Sequence, residues 1–288
     1  MRVWTELEII EAAFSAHGAL DGKKPLRIPT GLSVIDAEIG GVSPGQLGVV
    51  GAPTSHGKSL FLQNMAHSLS LLGYSVLMVM LEDGSVVSGE RAQEKYTGIP
   101  VRNLRVSGTS YYNTPMIKRA GDAGESLVKY VFLPFPDVNQ LADVFSRVKS
   151  VGADVVVVDY LQAIQASSSG SDLRLVYGNL LRWLKQESEK HQIPVYLGSQ
   201  MRRDVVFSKT DAGVIRPPEP QALSESKAIE EVTEIVILLW RFRGKHFFKL
   251  AKNKYTGELL FGQVDKKDGV LETILLNEDV YLSGGYSF

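Results

Sequence analysis

The sequence predicts an α/β fold in which a mostly parallel, twisted sheet is flanked by helices. From Ile28 onward, short apolar runs typical of buried strands alternate with stretches of helical periodicity. Repeated strand–helix–strand units favour parallel pairing, because each helix returns the chain to the same end of the sheet. Near the end of the chain, residues 246–264 alternate around a Lys-Tyr-Thr-Gly turn, which predicts a C-terminal β-hairpin.

The individual elements follow from apolar runs, caps and breakers. Short runs rich in branched aliphatic residues predict strands at 47–50, 75–81, 154–158, 193–197 and 235–240. Longer amphipathic patterns predict helices at 59–72, 138–151 and 172–190, the second of them capped by Asp137. The polar segments 166–172 and 202–220 are predicted loops. A loop as long as the second one is usually functional or disordered.

The first 25 residues are expected to form a unit of their own. Residues 4–17 have a helical pattern, and Gly18 with the segment 21–25 then breaks it as a linker. This linker helix has too little apolar surface for a separate core. It would dock either on its own domain or on a neighbouring subunit, and the residues alone leave both open. Residues 26–288 form the second, larger domain.

Composition excludes several classes of protein. The 288 residues include no cysteine, which rules out disulfides, iron–sulfur clusters and cysteine zinc sites. There is no run of 18 apolar residues and no secretory pattern at the start, so a cytoplasmic protein without a membrane partner is expected. The formal net charge is −1, so any nucleic-acid binding requires a local basic patch.

Residues 52–59 (Ala-Pro-Thr-Ser-His-Gly-Lys-Ser) match a phosphate-binding P-loop between a predicted strand and a predicted helix. Backbone N–H groups there would surround the phosphates of ATP. Lys58 would reach the β- and γ-phosphates, and the Ser59 hydroxyl would hold Mg²⁺. Ala52 stands where the pattern has glycine, and a chance strand–turn–helix is the alternative. The expected nucleotide-binding residues are Ala52, Thr54, Ser55, His56, Gly57, Lys58 and Ser59.

Three more predicted strands end in side chains suited to the same site, because ligands bind at the carboxyl ends of parallel strands. Asp159 follows a valine run, as in a Walker B strand, and would position Mg²⁺. Glu82 would orient the attacking water, with Asp83 as its rival. Gln200 would sense the γ-phosphate. Ordinary solvated strand ends are the alternative for each of these residues.

Two lysines mark the predicted hairpin turn. Lys252 and Lys254 would stabilise the charge that develops during phosphoryl transfer. The residues alone favour a simpler interpretation, in which a solvated turn carries both charges.

The chain resembles the ATPase domain of the DnaB-type replicative helicases, within the RecA-like hexameric ATPases. The matching stretches occur in the family's order and cover roughly residues 28–265. The most specific are Asp-Tyr-Leu-Gln at 159–162 and Leu-Ser-Glu-Ser-Lys-Ala-Ile-Glu-Glu at 223–231. The others are at 30–32, 35–36, 40–41, 44–47, 81–82, 198–200 and 251–254, together with the P-loop.

This resemblance implies roles by position. It implies the phosphate and Mg²⁺ ligands for Lys58 and Ser59, the catalytic glutamate for Glu82, the Walker B acid for Asp159 and the sensor amide for Gln200. It also implies that Lys252 and Lys254 reach the ATP site of the neighbouring subunit. The family usually has arginine where Lys254 stands, and lysine lacks the bidentate fork, which puts the strength of that contact in doubt.

DNA contacts are implied for loops that face a central channel. Cations there would pair with phosphates without reading sequence. The family often has arginine where Ser224 stands, and Lys227 is a possible substitute. A solvated polar loop is the alternative. The implied residues are Arg202, Arg203, Lys209, Arg216, Glu225, Ser226 and Lys227.

The resemblance implies a hexameric ring that moves on single-stranded DNA in replication, with a primase or a helicase loader as further partner. The family's N-terminal domain has no counterpart in this sequence, and residues 4–17 stand where its linker helix packs on the adjacent subunit. Two alternatives remain open. One is a recombinase or a RadA- or KaiC-like ATPase, and the other is a weakly hydrolysing ATP-binding ring that serves as a scaffold.

Overall fold

The computed structural model describes residues 27–97, 128–165, 173–202, 208–224, 226–267 and 270–286. The predicted linker helix and the division at residue 25 lie outside the described residues and stay predictions. None of the described helices is long and apolar enough to cross a lipid bilayer.

The described chain alternates helices and strands up to its last third. The helices are α1 (Ser33–Ile39), α2 (Lys58–Leu71), α3 (Ser85–Thr97), α4 (Val138–Ser146), α5 (Leu173–His191), α6 (Ser226–Val232) and α7 (Glu278–Leu282). The strands are β1 (Leu47–Ala52), β2 (Val76–Met80), β3 (Val128–Phe132), β4 (Val155–Asp159), β5 (Val195–Gln200), β6 (Ile235–Phe242), β7 (Lys245–Asn253), β8 (Leu260–Lys267) and β9 (Val270–Leu275).

All nine described strands join one sheet in the order β3-β2-β4-β5-β1-β6-β7-β8-β9. The six strands from β3 to β6 pair in parallel, and β6 to β9 form an antiparallel meander. The predicted mostly parallel α/β fold is therefore confirmed. The predicted C-terminal hairpin is present as β7 and β8, within a larger antiparallel unit.

Side-chain alternation along the strands divides the core into two layers. Val155 and Val157 of β4 pack on one face with α1 and α2, and Val156 and Val158 pack on the other with α4, α5 and α6. Successive strand residues point to opposite faces, so a strand buried on both faces becomes a continuous apolar run. The valine run of β4 is apolar for this reason.

One predicted helix is five residues too long. The helix expected over 138–151 begins as predicted, with a capping box between Asp137 and Gln140, but it ends at Ser146. Three-residue turns replace it, with the N–H groups of Arg147 and Val148 donating to carbonyls three residues earlier. The apolar pattern extends past the helix because Val148 is still fully buried.

Candidate nucleotide-binding site

The P-loop connects β1 to α2 at the carboxyl edge of the sheet. Gly57 immediately precedes α2 with a φ of 87°, and Ser55 has a φ of 65°. A residue with a Cβ is strained at a positive φ, so glycine is the residue that fits before Lys58. The start of α2 presents N–H groups that no carbonyl of the helix accepts, together with the positive end of its dipole. Such a helix start favours anions.

A cavity of about 450 Å³ lies over this loop. Its volume falls in the range of small-molecule sites. It brings together residues of the P-loop, the ends of β2, β4 and β5, and α3. The lining residues are Pro53, Thr54, Ser55, Gly57, Lys58, Ser59, Leu60, Glu82, Asp83, Arg91, Tyr160 and Gln200.

Two predicted nucleotide-binding residues do not line this cavity. Ala52 is fully buried as the last residue of β1. His56 turns toward β6, where its Nδ1 accepts the backbone N–H of Arg241 at 3.0 Å. Burial is the main cause that lowers the pKa of His56, and the neighbouring His246 and Arg241 lower it further. Its side chain therefore joins the P-loop to the antiparallel part of the sheet.

Lys58 is paired with the predicted Walker B carboxylate. Its Nζ donates to Oδ1 of Asp159, which is only 2% exposed, and lies 4.0 Å from the ring centre of Tyr160. Burial lowers the pKa of Lys58, and the charge of Asp159 opposes that change. The cation predicted for the phosphates and the carboxylate predicted for Mg²⁺ thus form an ion pair with each other.

The two carboxylates after β2 have different partners. Asp83 forms an ion pair with Arg91 of α3. Glu82 is exposed to the cavity and lies against the hydroxyl of Tyr160. Burial raises the pKa of Tyr160, and a hydrogen bond to Glu82 raises it further. Asp83 is therefore held in an ion pair, whereas the exposed side chain of Glu82 faces the cavity.

Gln200 connects the end of β5 to the P-loop. Its Nε2 donates to Oγ1 of Thr54, and its carbonyl accepts the hydroxyl of Ser224 at 3.4 Å. This places the predicted sensor amide at the cavity. It also ties the residue to the segment that precedes α6.

Lys252 and Lys254 lie away from this cavity. Nζ of Lys252 donates to the carbonyls of Glu230 and Thr233 at the end of α6, and Nζ of Lys254 lies 3.4 Å from the carbonyl of Glu231. Cations are stabilising at helix carboxyl ends. Burial and the charge of Lys254 lower the pKa of Lys252 to about 8.

The predicted DNA-binding residues fall into two groups. A bridge between Met201 and Leu223 places Arg202 beside the segment that leads to Lys227. Both of these cations are exposed, and Ser226 is the first residue of α6. Arg203 and Glu225 lie outside the described residues.

Lys209 and Arg216 form the second group, on a short hairpin closed by a bridge between Lys209 and Ile215. Val214 anchors this hairpin and is 1% exposed among Trp240, Phe247, Phe261 and Tyr281. The described part of the long predicted loop is therefore packed against the antiparallel strands. The polar composition of the segment gives no sign that Val214 is buried.

Three further residues of the site had no role assigned from the sequence. Tyr160 and Gln162 belong to the Asp-Tyr-Leu-Gln stretch, so their proximity to Asp159 was the available signal. Arg91 lies eight residues after Asp83, and no motif marks it. Its place in the cavity depends on how α3 packs.

Comparison with known proteins agrees with this geometry. The family model of the DnaB-like helicase C-terminal domain matches residues 27–274. The replicative DNA helicase DnaC of Bacillus subtilis is 27% identical over 271 residues, which are 93% of this chain and 57% of that protein. The chain spans about half the length of the curated relatives it matches.

Two solved structures share the fold. The ATPase domain of G40P superposes with a TM-score of 0.77 at 17% identity, over 95% of this chain and all of that one. A DnaB-like replicative helicase, described with its interactions with primase, superposes with a TM-score of 0.75 at 17% identity. That match covers 96% of this chain and 68% of the other. The chain belongs to the DnaB-like helicase C-terminal domain family.

Proposed function

We propose that this chain is the motor domain of a DnaB-type replicative DNA helicase, which hydrolyses ATP with Mg²⁺ in a hexameric ring and moves on single-stranded DNA. The cavity over the P-loop carries the proposal, because it gathers the groups that phosphoryl transfer requires. Its lining includes a lysine, a hydroxyl, a carboxylate and a neutral amide at Lys58, Ser59, Glu82 and Gln200, and Lys58 is paired with the buried carboxylate of Asp159. We place this activity in the cytoplasm of a bacterium, or of a host cell that carries a viral replicon.

The residues present fit ATP and Mg²⁺. Ser59 and Asp159 are oxygen ligands of the kind that Mg²⁺ uses together with phosphate oxygens and water. When bound, Mg²⁺ neutralises the charge that develops on the phosphates. Lys58 would exchange the carboxylate of Asp159 for phosphate oxygens. Glu82 would hold the attacking water, and Gln200 would contact the terminal phosphate and the P-loop.

The position of the two hairpin lysines supports a ring. Lys252 pairs with Val236 at the beginning of β6, and Val236 pairs with Val49 of β1. The P-loop follows Ala52, which lies three residues or roughly 10 Å farther along the sheet and two strands, again roughly 10 Å, to the side. A lysine side chain does not span that distance, so the site needs these cations from a second copy. A head-to-tail contact of this kind repeats from copy to copy, and it gives a ring when the rotation between copies closes.

Single-stranded DNA is the proposed track. Arg202 and Lys227 lie on neighbouring segments that hydrogen bonds connect to Gln200, so a change at the terminal phosphate would reach both. Contacts with DNA phosphates would be independent of sequence and strongly dependent on salt. A primase or a helicase loader is proposed as a further partner, supported by the solved relative that is described with primase.

A pair of neighbouring carboxylates tests the catalytic assignment. Glu82→Gln keeps the shape and hydrogen bonding of the side chain but cannot hold water as a base. We expect it to bind ATP normally and to hydrolyse it about 10²- to 10⁴-fold more slowly, the usual contribution of a general base. Asp83→Asn is the matched control and should stay within about tenfold of the parent, because Asp83 is held by Arg91. Hydrolysis by Glu82→Gln at the parent rate would refute the assignment.

A second measurement separates the proposed motor from its alternatives. ATP hydrolysis is measured with and without single-stranded DNA at matched salt, while light scattering reports the mass of the protein. Stimulation by DNA in a hexamer-sized species supports the motor. Filaments that grow on DNA point to a recombinase, and ATP binding without a response to DNA points to a scaffold.

A further inference from the structure

The end of β5 stays paired with β1, but on its other side it loses the backbone of β4 just before Gln200. Pairing between β4 and β5 runs from Val156 with Val195 to Val158 with Leu197 and stops there. The N–H of Gln200 therefore has no β4 carbonyl to bond with. A buried or half-buried N–H without an acceptor destabilises the fold, so a side chain must supply the acceptor that β4 does not.

Gln162 supplies that acceptor. Its Oε1 accepts the backbone N–H of Gln200 at 3.0 Å, and its Nε2 donates to the hydroxyl of Ser199 at 3.1 Å. Ser199 is fully buried, and Gln162 is half-buried. The side-chain amide of Gln162 thus holds the last two residues of β5, where the backbone of β4 no longer pairs with them.

Gln162 is itself held from a third direction. Its backbone carbonyl accepts the hydroxyl of Tyr177 of α5 at 3.2 Å. The turn Leu161–Ala163 that carries it follows Asp159 closely and is buried at Leu161. The position of the amide is therefore set by the strand that ends in the predicted metal ligand.

The strand end that Gln162 holds has two further connections. Gln200 reaches the P-loop through Thr54, and its carbonyl accepts the hydroxyl of Ser224. The N–H of Arg202 donates to the carbonyl of Ala222 at 2.9 Å. A continuous set of hydrogen bonds thus runs from the P-loop through Gln200 to the segment before α6.

We propose that Gln162 is the positioning residue that couples the nucleotide cavity to the DNA-facing segments, by holding Ser199 and Gln200 against the Walker B turn. This inference rests on the proposed function. Gln162 contacts neither the phosphates nor the water. Without it, the end of β5 moves independently of the turn after Asp159, and the state of the nucleotide no longer reaches Arg202 and Ser224.

Three variants test this role. Gln162→Met keeps the length of the side chain and removes both hydrogen bonds. Gln162→Glu keeps both, because a carboxylate accepts the N–H of Gln200 and the hydroxyl of Ser199 can reverse and donate. Tyr177→Phe removes the contact to the backbone of Gln162 and leaves its amide in place.

The first readout compares ATP binding with DNA-stimulated hydrolysis. We expect Gln162→Met to bind a fluorescent ATP analogue within about twofold of the parent and to lose most of its stimulation by single-stranded DNA. Gln162→Glu should recover at least half of that stimulation, and Tyr177→Phe should keep it. A general loss of structure would lower ATP affinity and the melting temperature as well. Full stimulation of Gln162→Met overturns the proposal.

The second readout does not depend on hydrolysis. Amide hydrogen exchange is followed over residues 199–202 and 220–230 with ADP or with ATPγS bound. In Gln162→Met, exchange at the N–H of Gln200 should be about tenfold faster or more, and the difference between the two nucleotides should vanish in 220–230. If the parent does not hydrolyse ATP, the proposed function fails, and this readout alone decides the role of Gln162. An equal nucleotide response in parent and variant, or no response in the parent, overturns the inference.

Discussion

Two lysines at opposite edges of the same sheet are held in opposite ways. Lys58, at the carboxyl edge, forms a buried ion pair with the side chain of Asp159. Lys252, at the other edge, donates to the carbonyls that end α6. In the proposed function, Lys58 would exchange Asp159 for phosphates within one subunit, because the phosphates carry more negative charge than one carboxylate. Lys252 donates its hydrogen bonds to carbonyl oxygens, while the charges of Glu234 and Glu230 act on it from nearby. In the proposed ring, the phosphates of a neighbouring site would become its partner.

This contrast indicates what each event in the proposed cycle must release. Nucleotide binding has to separate an ion pair and then re-uses both members, one at the phosphates and one at the metal. Ring assembly has to withdraw a cation from a helix end, which is worth about 0.3 to 1 kcal/mol at a surface position. The exchange at Lys58 therefore replaces one strong ion pair by other charged contacts within a subunit. The exchange at Lys252 breaks weaker contacts and is easily reversed.

Mixing two inactive variants sharpens this comparison and has the largest expected effect. Lys58→Ala and Lys252→Ala should each hydrolyse ATP about 10²- to 10³-fold more slowly than the parent, since each removes a cation from the transition state. A mixture should regain part of the activity, because a Lys58→Ala subunit still offers Lys252 to the intact P-loop of a Lys252→Ala neighbour. Hydrolysis is measured against the fraction of mixed rings found by native mass spectrometry.

The control for this experiment is Lys149→Ala, which removes an exposed cation of the turn after α4 and should behave as the parent. Mixed rings that form but recover nothing would mean that Lys252 acts on its own subunit or not at all. The contrast between the two edges would then lose its functional meaning.

The contrast also separates what the sequence predicts from what it leaves open. Asp159 and Gln200 were predictable because each ends a strand at a known edge of a parallel sheet, so their meeting place follows from topology. The bonds of Lys252 to α6 depend on how a hairpin packs against a helix some twenty residues earlier. No local pattern encodes that contact.

Side chains that replace backbone partners are equally hard to predict. The amide of Gln162 matters because β4 stops pairing before β5 ends, and strand ends are the least certain part of any sequence-based assignment. His56 illustrates the same limit, because its place in the P-loop motif suggests phosphate contact. In the structure its ring instead accepts the N–H of Arg241.

The pH dependence gives a second, intermediate test of the Lys252 edge. Its pKa is lowered to about 8, with burial as the main cause, whereas the unfolded chain has the ordinary value of 10.5. Between these values the unfolded state binds more protons, so this group makes stability rise with pH. Hydrolysis should fall over the same range, because a subunit whose Lys252 is neutral at the end of α6 offers no charge to the neighbouring site when the ring assembles.

Lys252→Arg should remove that fall, since a guanidinium stays charged. The measurement is the pH profile of kcat from pH 7 to 10 for the parent and the variant, together with urea unfolding over the same range. Activity and stability that fall together in both proteins would trace the effect to unfolding. The pH dependence of kcat would then not be caused by Lys252.

The smallest expected effect concerns Lys254, where the family usually has arginine. Its Nζ lies 3.4 Å from the carbonyl of Glu231, and it is exposed, so its contact at home is the weaker of the two. In Lys254→Arg, a planar fork can hold two phosphate oxygens of a neighbouring site at once. We expect kcat in the presence of single-stranded DNA to rise about two- to fivefold with KM for ATP nearly unchanged. Lys149→Arg is the control, because it makes the same change from an ammonium to a guanidinium group at an exposed position away from the site. A drop in kcat for Lys254→Arg would mean that the site is built around a compact ammonium group, and the departure from the family would then be an adaptation of this interface.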